Sequence, residues 1–412
     1  MSDFSNEQDR TPHHMRQDAQ PSGAEPAPAS VPSPAVSPLP ADSASAKHFG
    51  QADVEQLTHR THPKRRLPIA ARILLVLAAV VAVAGVALAV WVGHINSSMA
   101  VGGDEGKALS QALEAPKTTS DQKQAPFYMV IIGSDSRDGV AGSRSDVTML
   151  ARVDLEHTTV DLISIPRDTM VSSQDGTVEK INAEYNNGPA ATVEAVSAFA
   201  GVPITHYMAM NFDDLSGVID SLGGITVDVP EEFTSRDGYH FAKGKQKMSG
   251  AQAFSYVRDR YNETGGDFGR AQAQRQVVEA IAHKVLESNA AQLPSVVESL
   301  AESVSTDLSV TDLVGWATDI KGSGINLKVY SAITPSYSFS QDGVSYVGTM
   351  YDEWRAMMQR VDAGMDPNDT SATIPEAQAN DASLGAATNA ASPRDYAALA
   401  AGAGLTTDDV AQ

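Results

Sequence analysis

No cysteine occurs in the 412 residues. That absence excludes disulfides, thiolate zinc sites and cysteine nucleophiles. Positive charge is in short supply: 30 basic residues stand against 51 acidic ones, for a net charge of -21. Nucleic-acid binders need a basic footprint that releases phosphate counterions, so this class is disfavoured. Several familiar devices are also missing. The chain has no His-Glu-x-x-His, Gly-x-Ser-x-Gly, P-loop or Gly-x-Gly-x-x-Gly, and no internal repeat. His206, His240 and His283 are isolated and read as structural.

One long hydrophobic run is present. Ile73 to Gly93 contains no charged residue over 21 positions, enough to span a bilayer. Trp91 closes it, and Arg60, Lys64, Arg65, Arg66 and Arg72 flank its N-terminal side. A basic flank marks the cytoplasmic side, so the expectation is a single-pass membrane protein with its bulk outside. The run follows some 65 residues, which argues against a cleaved signal peptide.

The remaining organisation follows from composition. Residues 1–66, rich in Pro, Ser, Ala and Gln, read as a disordered cytoplasmic segment, and 67–94 as the transmembrane helix. Residues 95–125 are small and polar and read as a stalk. Residues 126–362 alternate strand and helix patterns, beginning with the apolar run Phe127–Gly133, and imply a layered α/β domain. Residues 363–412 read as a disordered tail.

Arginine and aspartate recur at the ends of the expected strands. Gly133-Ser-Asp-Ser-Arg137 follows the first strand, with Arg144-Ser-Asp146 a little further on. Ser164-Ile-Pro-Arg-Asp-Thr169 follows the third. Lys180-Ile-Asn182, Val218 to Gly224, Tyr256-Val-Arg-Asp-Arg260 and Asp267-Phe-Gly-Arg270 come later. Strand ends are where layered α/β folds bind ligands. Arg137, Arg144, Arg167, Arg258, Arg260 and Arg270 in one cleft would need an anion to offset their repulsion, and a pyrophosphate suits so many donors. Asp135 and Asp146 suit a hard divalent cation such as Mg2+, shared with substrate phosphates. On spacing alone, surface salt bridging fits the same residues equally well. Arg258 and Arg260 reach one site only if their helix ends near Val257.

These seven blocks, in this order over residues 127–288, resemble the LytR-CpsA-Psr family. The resemblance implies a three-layer α-β-α sandwich with a central mixed sheet and an apolar cleft for a polyprenyl tail. It implies transfer of an anionic glycopolymer, such as teichoic acid, capsule or arabinogalactan, from a polyprenyl-pyrophosphate carrier onto a peptidoglycan hydroxyl, with a phosphodiester formed. By motif, Asp135 and Asp146 would hold magnesium. Arg144, Arg167, Lys180, Arg258, Arg260, Arg270 and Gln274 would hold the pyrophosphate, and Asp135, Asp146, Arg144 and Arg167 would carry the catalysis. One departure stands out: Ala273 occupies a position usually held by arginine, and Arg275 follows Gln274. Two other functions use the same residues: hydrolysis of polyprenyl pyrophosphates, and non-catalytic binding of lipid or glycopolymer by an envelope regulator.

Overall fold

The computed structural model describes residues 69–119, 123–134, 145–172, 177–259, 266–288 and 293–387. The expected disordered segment before Leu67 lies outside them. So do Asp135, Arg137, Arg144 and Arg260.

Helix α1 spans Ile69–Met99. Within it Ile73–Met99 is long and apolar enough to cross a membrane, with mean hydropathy 3.1. The helix outruns the expected end at residue 94, because Ile95 and Met99, four apart, bury one face against Ala301 and Val310. Asn96 Oδ1 accepts from Val310 N at 2.9 Å, and Trp91 Nε1 donates to Glu298 at 3.0 Å.

Residues 95–125 correct the stalk expectation. Helix α2 (Gly103–Ala112) packs against the domain, and its Leu109 is buried in the main core. Ala112 of the same helix and the flanking Val101 and Leu113 pack against that core too, docking a segment whose composition otherwise looks like a spacer.

The domain continues with β1 (Phe127–Ser134), β2 (Ser145–Asp154), β3 (Thr159–Ile165), β4 (Met170–Ser172), β5 (Val178–Lys180), a 3-10 turn (Ile181–Asn187) and α3 (Pro189–Ala200). Then come β6 (His206–Asn211), α4 (Phe212–Ser221), β7 (Ile225–Val229), β8 (Phe233–Thr234), β9 (His240–Phe241), β10 (Gly244–Met248), α5 (Gly250–Arg258) and α6 (Asp267–Glu287). The last part holds α7 (Leu293–Ser303), β11 (Val304–Thr306), α8 (Val310–Ser323), β12 (Lys328–Ile333), β13 (Ser336–Gln341), β14 (Val344–Thr349), α9 (Tyr351–Asp362) and α10 (Glu376–Ala379).

Six strands form the central sheet in the order β11-β6-β1-β2-β3-β12. It is mixed: β1 pairs parallel with β6 and β3 with β12, while β1–β2, β2–β3 and β6–β11 are antiparallel. Side chains alternate across it. Tyr128, Val130 and Ile132 enter one core with Phe199 of α3 and Trp354 of α9. Phe127, Met129 and Ala151 face the other way, toward Val278 of α6 and Trp316 of α8. Helices on both faces make the three-layer α-β-α arrangement.

Residues 363–387 correct the expectation of a disordered tail. Leu384 and Ala387 are buried, and Gly385 N and Ala387 N donate to the carbonyls of Ala200 and Phe199 at 2.8 and 2.7 Å. Two glycines make this contact possible. Gly201 has φ +69 and caps α3, and a Cβ there would lie 1.6 Å from Ser383 O. Gly385, also at φ +69, would put a Cβ 2.5 Å from Arg355 Cα. The segment's weak hydrophobicity hides a backbone-level fit that composition does not register. Residues 388–412 lie outside the described residues.

Candidate active site

The start of β2, the loop after β3 and one helix converge. Asp146 stands at the start of β2, Arg167 and Asp168 follow β3, and Asp267, Arg270 and Gln274 lie on the first turns of α6. They line one cavity of about 120 Å³. Pro166 ends β3 and lets the chain turn: Thr169 N donates back to Pro166 O at 2.9 Å, and Asn182 N to Arg167 O at 3.2 Å. The Arg167 loop is therefore held by backbone bonds before any side chain is considered.

The charges are arranged as a chain. Arg167 Nη1 donates to Asp146 Oδ1 at 2.6 Å. Arg167 Nε lies 3.9 Å from Asp168 Oδ2, and Lys180 Nζ lies 3.0 Å from Asp168 Oδ1. Arg270 Nη2 reaches Asp267 Oδ1 at 3.1 Å. Burial works against the Arg167 cation. Even so, its bond and charge contact with Asp146, with Asp168 and Asp267 nearby, carry its pKa above the ordinary arginine value. Both arginines stay cationic, with aspartates holding their forks in place.

A second, apolar cavity of about 350 Å³ lies between the sheet and helices α6 and α8, lined by residues including Ile131, Met149, Val277, Trp316 and Ile320. Val147 and Gln274 line both cavities, so the charged space adjoins the apolar one.

The expected site residues divide accordingly. Asp146, Arg167, Arg270 and Gln274 meet in the charged cavity. Lys180 stands one ion pair back, through Asp168, with Nζ 5.8 Å from the Tyr346 ring centroid. Arg258 is not brought in. Helix α5 runs through it, so its exposed side chain follows Phe254, four residues earlier, and its Cζ stacks 4.8 Å from that ring's centroid. Asp135, Arg144 and Arg260 lie outside the described residues. Asp220 anchors backbone: its Oδ1 accepts from Gly250 N at 2.8 Å at the start of α5. Arg275 does not replace the arginine missing at Ala273. It turns into the sheet, donating to Ser164 Oγ and Ser331 Oγ at 2.7 Å each, and burial lowers its pKa to about 10.

Sequence reasoning missed Asp168 and Asp267 as partners of the arginines, and the β13–β14 hairpin that supplies Ser338 and Ser345 to the cavity wall. The hairpin carried a signal: Asp342-Gly343, both at positive φ (52° and 79°), sit between alternating strands.

Fold and site together define a mixed-sheet α/β domain whose charged cavity adjoins an apolar one. The LytR_cpsA_psr family model matches residues 95–361, more than half of the chain, and the chain belongs to that family. It is 34% identical over 225 residues to the polyisoprenyl-teichoic acid–peptidoglycan teichoic acid transferase TagU of Bacillus subtilis, covering 54% of this chain and 73% of that protein. The Enterococcus faecalis transferase of the same name is 31% identical over 272 residues, with 64% and 89% covered. Among solved structures, a protein of Enterococcus faecalis described as a transcriptional regulator superposes with TM-score 0.50 at 26% identity, covering 60% of this chain and 91% of that one. A Streptococcus agalactiae protein at 20% identity and TM-score 0.52, covering 67% and 95%, shares the fold.

Proposed function

We propose that this chain is a phosphotransferase that moves an anionic cell-wall glycopolymer from a polyprenyl-pyrophosphate carrier onto a peptidoglycan hydroxyl. The adjacency of the two cavities carries the reading. A polyprenyl pyrophosphate has an apolar tail joined directly to a dianionic head, and Val147 and Gln274 mark the same junction in the protein. The names borne by the Bacillus subtilis and Enterococcus faecalis relatives support this substrate class.

In the transfer, the acceptor oxygen attacks the phosphorus that bears the sugar, forming a new P–O bond. The bond from that phosphorus to the bridging oxygen breaks, polyprenyl phosphate leaves, and the proton of the acceptor hydroxyl passes to the departing phosphate or to water. Arg167 and Arg270 neutralise the charge developing on the phosphoryl and leaving oxygens, already oriented by Asp146 and Asp267. Gln274, at the junction, supplies a neutral donor between the head and the tail.

Magnesium was expected at Asp135 and Asp146. Among the described residues no group of three or more His, Cys, Asp or Glu forms a cage. Magnesium needs only one or two carboxylates when phosphates complete its shell. Asp146, with 22% of its side chain exposed and one oxygen on Arg167, fits that limited role. Asp146, with Asp135, which follows β1 in the sequence, would hold the ion against the phosphates. A bound ion would add charge neutralisation at the leaving group.

The basic residues ahead of α1 support a topology with the N-terminus in the cytoplasm and the domain outside, on the side of the peptidoglycan. The purified full chain, given a polyprenyl-pyrophosphoryl saccharide and glycan strands of peptidoglycan, should form a phosphodiester-linked product detectable by mass spectrometry. Release of free saccharide phosphate at the same rate with and without glycan strands would instead assign hydrolysis.

A further inference from the structure

The two arginines lining the charged cavity each share their charge with a carboxylate, Arg167 with Asp146 and Arg270 with Asp267. Arg275, on the same helix as Arg270, is placed differently. It is 6% exposed, and its guanidinium is held by hydroxyls: Nε donates to Ser331 Oγ of β12 and Nη1 to Ser164 Oγ of β3, at 2.7 Å each. Among the described residues no carboxylate pairs with it, and burial is what lowers its pKa to about 10. A buried cation without a counter-ion is costly. Hydroxyls solvate the guanidinium without neutralising it, so the fold holds an uncompensated positive charge at this point.

Ser164 belongs to both surroundings. It is 3% exposed, yet it lines the charged cavity with Arg167, Arg270 and Gln274. Its carbonyl accepts from Thr334 N and Thr334 Oγ1 at 2.9 and 3.1 Å, so the end of β3 is fixed independently of Arg275. Its Oγ accepts from Arg275, which leaves the hydroxyl hydrogen to donate. Among the described residues no acceptor takes that hydrogen.

We propose that Arg275 is a positioning residue for the pyrophosphate: it holds the Ser164 hydroxyl with its hydrogen free for a phosphoryl oxygen, and its charge acts on the anion through that hydroxyl. This rests on the phosphotransferase reading given above. Two hydrogen bonds in series put the guanidinium about 5 Å from a phosphoryl oxygen, a separation at which unit charges still attract appreciably at the effective dielectric of a protein. The substrate anion then supplies the counter-charge that the chain does not. The departure at Ala273 acquires a consequence as well. An arginine at that position of α6 is absent, and the cation two residues on acts from behind the cavity wall, through a strand-end serine.

The test uses the purified full chain in detergent and two ligands with the same tail, a sugar-free polyprenyl pyrophosphate and the uncharged polyprenol. Wild type should bind the pyrophosphate more tightly. Arg275→Gln should weaken the pyrophosphate about tenfold, the worth of a hydrogen bond to a charged group, and leave polyprenol binding as it is. A purely structural arginine would move both ligands or neither. Arg275→Lys keeps a charge and should restore part of the loss. Ser164→Ala should cost about as much as Arg275→Gln, and the double variant no more than either, because both break the same link. Equal pyrophosphate affinity in wild type and Arg275→Gln overturns the positioning role alone, and so does a double variant whose losses add. Should Arg275→Gln fail to fold, undiminished pyrophosphate affinity in Ser164→Ala overturns it instead. A wild type with no preference for the pyrophosphate over polyprenol overturns the phosphotransferase reading and the positioning role with it.

Discussion

Replacing Arg167 with alanine separates a chemical role from a structural one. The Arg167–Asp146 pair is partly exposed, at 26% and 22% of the two side chains. Water can therefore resolvate Asp146 once the guanidinium is gone, and the pair contributes about 1 kcal/mol or less to stability. For a domain of this size that moves the melting midpoint by only about 2–4 °C. The loss to catalysis is larger, because the cation acts where negative charge builds up in the transition state. Removing one such preorganised donor costs on the order of 10²–10³ in turnover. The assay is initial-rate formation of phosphodiester-linked product, alongside thermal unfolding of the same preparation. Arg167→Lys should recover only part of the rate, since a point charge cannot reproduce the fork that Asp146 and Asp168 orient. Turnover within tenfold of wild type for the alanine variant, with the fold intact, would refute the placement of the phosphoryl group beside Arg167.

Ala317→Trp, on the α8 wall of the apolar cavity, should fill part of its roughly 350 Å³. It should weaken a long-chain donor about tenfold or more while barely affecting one with a short tail, as KM values for the two donors would show. Deleting residues 376–387 uncovers the surface under Leu384 and Ala387 and should cost roughly 2–4 kcal/mol, read as a lower melting midpoint with catalysis preserved below it. Burial lifts the Asp161 carboxyl to about 7, with Arg152 opposing it and Asp366 and Asp154 adding to it. An unfolded aspartate titrates near 3.9, so the folded state holds this proton more tightly, by about 4 kcal/mol at most. That stability is fully present below about pH 4 and lost as pH rises through 7. Asp161→Asn should flatten the fall in unfolding free energy between pH 5 and pH 8, with Arg152 still 3.7 Å from Asp154. Parallel pH profiles for the two proteins would show that Asp161 ionises normally.

Much of the sheet was legible because a strand buried on both faces reads as an unbroken apolar run. Phe127–Gly133 is such a run, and it became the central β1. The Arg167 block was legible for a local reason: Ser-Ile-Pro-Arg-Asp ends a strand and turns at proline. Arg258 was not legible, because its contact is with Phe254 on its own helix and not with the strand-end residues it accompanies in sequence. Arg275 was not legible for a different reason. Its neighbours Ser164 and Ser331 come from strands 111 and 56 residues away, and no local pattern announces them. The short strands β4, β5, β10 and β11 escaped because pairing, not composition, defines them.

The stalk is the most consequential of these corrections, because it changes how the membrane relates to the site. A flexible spacer would let the domain roam, and the donor would have to leave the bilayer to be caught. The end of α1 is instead seated on the domain: Ile95 and Met99 pack in one cluster with Leu313 of α8. Leu313 also lines the apolar cavity, together with Trp316 and Ile320 of the same helix. A single helix thus contacts the membrane anchor on one side and encloses the space for the tail on the other. Leu313 is common to both contacts, so one helix ties the membrane anchor to the wall of the tail cavity and fixes the distance between them, which a flexible spacer would leave free.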